Sequence, residues 1–355
     1  MTSGARLLSD EVFQLNAFLS ALEDLPATGR TRPVLRNAGY YLVAIGRRVQ
    51  VPAEDSVIAA LERLTGSADR SPCRPDLWLR HQEHPVQVIV ELKARGFSRA
   101  SSNTRQAVKL LLSAFDLAAS LGEQAERRGH VIYGTVGADA ESLSTTLKEL
   151  ADEVSAMGLP AAPTTVVGLS IDDKGVSLSS PTPSDLPDPA AVALAAPTVV
   201  LRRDGDNDLR PLYFVPWIPG IEDTQEPELH ADGLRELTAR VLTQAMGHVG
   251  RALVPTTLAL NGTQLLSDAT FRVFDRWHER NRNQFGEAAA KIVERALRKS
   301  EVEIRRYGGD RLEIDLPSTE TKDQAIKGLE QADPANAKKN LEATTREHPK
   351  LFENF

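Results

Sequence analysis

The chain has 355 residues, 41% hydrophobic and 26% charged, with 42 Lys and Arg against 49 Asp and Glu and a net charge of −7. That balance excludes low-complexity and fibrous classes, argues against a protein that coats DNA, and leaves room for two domains. One cysteine, Cys73, excludes an intramolecular disulfide or a cysteine-based metal cluster; with no signal-like or membrane-length apolar run, the expected location is cytoplasmic, with no membrane partner.

In chain order, the N-terminus opens into an amphipathic segment, and the first clear helix covers about Ala53–Leu64, with an apolar stripe through Val57, Ile58, Leu61 and Leu64. Arg74-Pro75-Asp76-Leu77-Trp78-Leu79 and Val86-Gln87-Val88-Ile89-Val90-Glu91-Leu92-Lys93 read as two strands around a polar turn flanked by His81 and His84. Asn103–Leu121 reads as a helix, His130–Val136 as a strand, Ala140–Met157 as a helix and Thr164–Ser170 as a strand, completing an α/β domain over residues 1–180. The proline-dense stretch Ser179–Pro189 marks a linker over 181–197. An α+β domain is expected over 198–355: strands at Val199–Arg202 and Pro211–Val215, helices over His230–Gly247 and Phe271–Ser300, and a hairpin over Glu301–Leu316 turning at Gly308-Gly309. The Phe271–Arg282 helix is expected to bury its aromatics and leave its arginines in water. The charged, helical Asp323–Arg346 region suits a protein partner, and a homodimer is compatible with this organisation.

Chemistry concentrates in the two central strands. Side chains alternate along a strand, so Glu91 and Lys93 share one face while Val90, Leu92 and Ala94 take the other, one face for chemistry and one for core. Folding the hairpin back brings Asp76 beside Glu91, giving two carboxylates and an ammonium. Mg²⁺ is ordinarily held by one or two carboxylates plus water and phosphate oxygens. Asp76 and Glu91 are therefore candidate ligands, with the Leu92 carbonyl as a third oxygen, and Lys93 is placed to orient a metal-activated water.

Pro75-Asp76, fourteen intervening residues, then Glu91-Leu92-Lys93 resembles the motif of the PD-(D/E)xK nuclease superfamily. The resemblance covers roughly residues 50 to 180. It implies a restriction-endonuclease-like mixed sheet flanked by helices, Mg²⁺- or Mn²⁺-dependent hydrolysis of phosphodiester bonds in DNA, with RNA as the other substrate, and a setting in restriction, phage defence or DNA repair. Family members often add an acid from the first helix, and Glu54 extends the apolar stripe of the Ala53–Leu64 helix. Gln106 stands where one branch places a helix glutamine, although Leu110 replaces the tyrosine that usually follows. Arg95, Arg99, Arg105 and Lys109 form a basic run that suits a nucleic-acid backbone.

Two other readings remain beside this one. The fold could serve a non-catalytic nucleic-acid-binding or assembly module. In the second half, Arg306-Tyr307-Gly308-Gly309-Asp310 resembles the hairpin of diguanylate-cyclase-type palms, but Arg311 replaces that family's second acid and Leu258–Thr263 lacks its carboxylates. A tight turn explains those glycines better than a degenerate palm over 250–330.

Overall fold

The computed structural model describes residues 3–23, 29–99, 101–113, 128–182, 186–187, 189–203, 212–217 and 229–332. They form two compact units, the first reaching to Leu212 and the second taking Tyr213–Trp217 and the described residues from Leu229 onward. The first unit runs α1 (Ser3–Leu8), α2 (Glu11–Leu19), α3 (Val34–Asn37), β1 (Tyr40–Ile45), α4 (Asp55–Thr65), β2 (Leu77–His81), β3 (Val86–Leu92), α5 (Asn103–Ser113), β4 (Arg128–Val136), α6 (Ala140–Ala156), β5 (Thr164–Ile171), β6 (Gly175–Ser179), α7 (Ala190–Leu194) and β7 (Thr198–Arg202). Its seven strands lie side by side in sequence order. Neighbours from β1 to β3 and from β5 to β7 are antiparallel, and β3, β4 and β5 are parallel. Parallel neighbours need crossovers, which the segments carrying α5 and α6 supply.

Helices on the sheet remove both faces of the central strands from water. Every residue of β3 after Val86 is buried, so the expected division into a chemical face and a core face does not hold along the strand. On the Glu91 side, Trp78, Ile89, Val131, Tyr133 and Val166 pack in one cluster with Val57 and Leu61 of α4, Val108 and Leu111 of α5, and Leu143 and Leu147 of α6. Gln87 survives there because its Oε1 accepts the Trp78 indole N–H at 3.0 Å. Asp76, just before β2, and Glu91, at the end of β3, are buried as well.

Several elements depart from the sequence reading, each for a tertiary reason. A third antiparallel strand, β1, precedes α4 and pairs with β2. The N-terminal segment is not amphipathic in place: every residue of α2 from Val12 to Leu19 is buried, with Gln14 and Asn16 donating to the Leu8 and Val12 carbonyls. Past the proline-rich stretch the chain returns to the same sheet, β7 pairing with β6, so Val199–Arg202 belongs to the first unit and the division falls near Leu212. Residues 114–121 of the expected helix, 183–185 and 188 of the linker, 211, and 333–346 of the C-terminal region lie outside the described residues.

The second unit contains α8 (Ala231–Arg251), β8 (Thr256–Asn261), α9 (Gly262–Ala269), α10 (Glu279–Arg298), β9 (Ile304–Arg306), β10 (Arg311–Leu316) and α11 (Thr319–Glu330), with strand order β8-β10-β9. Residues 212–215 form no strand. The helix expected over Phe271–Arg282 is broken, because Phe271 and Arg272 take positive φ and Val273–Arg276 forms a short 3-10 turn. Phe274 and Trp277 are buried, and Trp277 packs against Phe274 and Phe285, whereas Phe271 is 39% exposed. Gly308 and Gly309 both have positive φ, as the tight-turn reading requires. No helix among the described residues is long and apolar enough to cross a membrane.

The far end of the β2–β3 hairpin is fastened by a histidine. His81 Nε2 meets the Ala38 carbonyl at 2.9 Å, and its Nδ1 accepts the N–H groups of Glu83 and His84, which fixes the Nε2–H tautomer. His81 lies about 16 Å along the strand from Asp76, so neither turn histidine serves the carboxylate end. Gly39 has φ +89°, and a Cβ there would meet His81 Nε2 at 2.6 Å. Gly39→Ala should destabilise the first unit by about 2 kcal/mol, read as a lowered urea midpoint; an unchanged midpoint would show that the ring yields freely.

Candidate active site

Asp76 sits one residue before β2, at the point where the chain turns into the sheet. Its backbone carbonyl accepts the Gly46 N–H at 3.0 Å, and its Oδ2 accepts the Leu92 N–H at 2.6 Å. The carboxylate thus joins the start of β2 to the end of β3. Because Leu77 pairs with Val90, Asp76 falls opposite Glu91, as the hairpin argument expected. The two carboxyls are 4% and 3% exposed as residues and have no bulk water to stabilise their charge.

Lys93 closes the group. Its Nζ lies 2.6 Å from Glu91 Oε1 and donates to Gln106 Oε1 at 3.0 Å, so α5 orients the ammonium from its first turns. The Lys93 N–H donates to the Gly134 carbonyl at 2.9 Å, extending the parallel ladder to the lysine itself. A third acid also contributes. Glu11, the first residue of α2, accepts the Ala94 N–H at 3.1 Å and acts electrostatically on Asp76, Glu91 and Lys93. Glu54 is an exposed N-cap of α4, so the helical acid beside the carboxylate pair is Glu11 rather than Glu54.

Burial, and then repulsion from Glu91, push the Asp76 carboxyl well above the usual carboxylate range, against the pull of Lys93 and the Leu92 N–H. Burial also raises Glu91, with Lys93 drawing it back down. Burial works against the charge on Lys93, but Glu91 and Asp76 more than offset it and hold the ammonium above the ordinary lysine value. Three acids act on one cation, so ionising all of them together is unfavourable and Asp76 and Glu91 hold their protons more tightly than free carboxyls. Glu91 Oε2 is buried without a hydrogen-bond partner, which is costly unless something electropositive meets it. Among the described residues no three His, Cys, Asp or Glu side chains are grouped to hold a metal ion. A divalent cation would rest on the Asp76 and Glu91 carboxylates, with backbone, water or substrate oxygens completing its shell. That donor set fits Mg²⁺.

A polar cleft of about 530 Å³ adjoins the site through Gln106 and is lined by Arg74, Arg99, Arg105 and Lys109. Its cations are not equivalent. Lys109, expected to meet a nucleic-acid backbone, is 5% exposed, and its three N–H donors go to Asp69 Oδ2, the Ser71 carbonyl and Ser71 Oγ at 2.8, 3.0 and 2.8 Å. The same contact, with backbone help from Ser71, holds Asp69 down at about 2. Lys109 therefore fastens the loop that leads to Asp76. Arg99 is paired through two nitrogens with Glu153 of α6. Arg95 and Arg105 are exposed. Cys73 is buried, and burial pushes its thiol up to about 12, which removes it as a nucleophile.

In the second unit Asp310 does not face an open site. Its Oδ2 accepts the N–H and Oγ1 of Thr263 at 3.3 and 2.5 Å, and Asn261 caps α9 through the Gln264 N–H. No protein-family model, curated protein or solved structure matches the chain.

Two measurements follow from the electrostatics. Asp76 binds its proton more tightly folded than unfolded, so the folded state is favoured below the ordinary carboxylate range and loses that advantage as pH rises through the elevated value. Asp76→Asn, which keeps an acceptor for the Leu92 N–H, should raise the metal-free urea midpoint at pH 8 and leave it nearly unchanged near pH 4; a lowered midpoint at pH 8 would show that the charge is stabilised. Lys109→Met should cost about 1–3 kcal/mol of unfolding free energy without altering low-salt DNA affinity. Weakened DNA binding in that variant would return Lys109 to the nucleic-acid backbone.

Proposed function

We propose that the first unit is a Mg²⁺- or Mn²⁺-dependent nuclease of the restriction-endonuclease-like type, acting on DNA in restriction, phage defence or repair, and therefore cytoplasmic. The observation that carries this reading is the buried pairing of Asp76 with Glu91 at the end of β3, with Lys93 held beside them by Glu91 and Gln106. Two carboxylates with raised proton affinity and one unsatisfied oxygen suit a divalent cation better than they suit each other. The mixed sheet, with its active end where antiparallel and parallel pairing meet, supports the same reading.

Asp76 and Glu91 would hold the cation, which supplies an acidified water and neutralises phosphate charge. Lys93 does not act as the base, because its neighbours keep it protonated. Its ammonium donates to the attacking water or to the phosphate oxygen that gains charge in the transition state, and Gln106 fixes its direction. Glu11 anchors the chain just past Lys93 through the Ala94 N–H and keeps the local field negative. The adjoining cleft offers Arg105, and Arg99 on exchange of Glu153, to a sugar-phosphate backbone. Among the described residues the cleft lining is polar and basic, without an aromatic side chain, which suits contact with the sugar-phosphate backbone. The palm reading of residues 250–330 finds less support, since Asp310 is engaged by Thr263.

Incubating the protein with linear and circular DNA in Mg²⁺ or Mn²⁺ tests the reading. Cleavage that needs the cation and falls about a hundredfold or more in Asp76→Asn, Glu91→Gln and Lys93→Ala is expected. Salt-sensitive DNA binding without cleavage in either metal would favour the non-catalytic module, and full activity in any of the three variants would sink the site.

A further inference from the structure

One polar group beside the site takes no part in the arrangement above. Tyr133 lies on β4 directly opposite Glu91 in the parallel β3–β4 register, so both side chains leave the sheet on the same face. Tyr133 is 1% exposed, and its hydroxyl, like Glu91 Oε2, is buried without a hydrogen-bond partner. The ring packs edge-on to Phe97 with centroids 6.0 Å apart, a contact phenylalanine would make equally well. Packing therefore accounts for the ring and not for the hydroxyl. A buried donor left unpaired is costly, and so is a buried acceptor, yet this chain keeps one of each on adjacent strands at the same level.

We propose that Tyr133 is a positioning residue for Glu91, its O–H donating to Glu91 Oε2 directly or through one shared water in the working site. The catalytic part of this assignment rests on the nuclease reading; the pairing itself does not. With Oε1 held by Lys93 and Oε2 held from β4, the Glu91 carboxylate is fixed in rotation and presents the remaining lone pair of each oxygen in a set direction. Direct donation explains why a tyrosine stands where the surrounding cluster is otherwise apolar.

Tyr133→Phe removes the hydroxyl and keeps the ring. In a metal-free double-mutant cycle, Tyr133→Phe and Glu91→Gln should be non-additive in unfolding free energy, because the two groups share one interaction. In Mn²⁺-dependent cleavage, Tyr133→Phe should lower kcat about tenfold, the rate equivalent of one net hydrogen bond, with KM for DNA within about twofold of wild type. Additive unfolding energies would overturn the pairing whatever the cleavage result. Non-additivity in a protein that cleaves nothing would uphold the pairing while the nuclease reading failed, and wild-type kcat in an active Tyr133→Phe variant would overturn the positioning role.

Discussion

The buried Asp76 carboxylate is the constraint on which the first unit depends. It is tied to the Leu92 N–H, set opposite Glu91, and deprived of water by helices on the sheet. Burying one carboxylate is expensive, and burying two side by side is more so, because each raises the cost of ionising the other. One lysine does not balance them with Glu11 nearby. The fold holds the group in place through backbone N–H groups around it: Gly46 donates to the Asp76 carbonyl, Leu92 to the Asp76 carboxylate, Lys93 to the Gly134 carbonyl and Ala94 to Glu11. Such a group is costly to keep buried, as is typical of sites where stability is given up for function, and the proposed divalent cation would offset that cost.

The surroundings serve that group at graded distances. Gln106 orients Lys93 from α5, and Lys109, three residues further on, anchors the Asp69–Ser71 loop that runs into Pro75-Asp76. Arg105, one residue before Gln106, is exposed at the mouth of the cleft. One helix thus carries an orienting amide, a structural ammonium and an exposed guanidinium within five residues. Arg105 and Lys109 share a face at i, i+4, and it is the Asp69–Ser71 loop closing over Lys109 that separates their roles, so charge alone does not define a binding surface.

The sequence disclosed the parts of this arrangement that are local. The β2–β3 hairpin, the opposition of Asp76 and Glu91, and the adjacency of Lys93 follow from period-two alternation and turn placement, and the structure brings these residues together. Non-local partners were hidden. Glu11 looked like an ordinary first-turn acid behind the Asp10 N-cap, and only tertiary packing carries α2 to the end of β3, 83 residues away. Lys109 belongs to the basic run suited to a nucleic-acid backbone, and nothing in its own helix reveals that Asp69 and Ser71 close over it. Tyr133 resembled any aromatic in a buried strand until the β3–β4 register set it level with Glu91. The return of β7 to the first sheet was masked by the prolines before it, and the break at Phe271-Arg272 carries no glycine or proline to announce it.

On the proposed reading, Asp76 and Glu91 form a site of raised proton affinity that a divalent cation completes. Titration calorimetry of the DNA-free protein with Mn²⁺, repeated near pH 6 in buffers of different ionisation heat, tests it directly, because a cation that displaces protons from raised carboxyls releases them to the buffer. The account predicts saturable binding accompanied by proton release, both lost in Glu91→Gln. Binding with no proton release, or none that depends on Glu91, would contradict it.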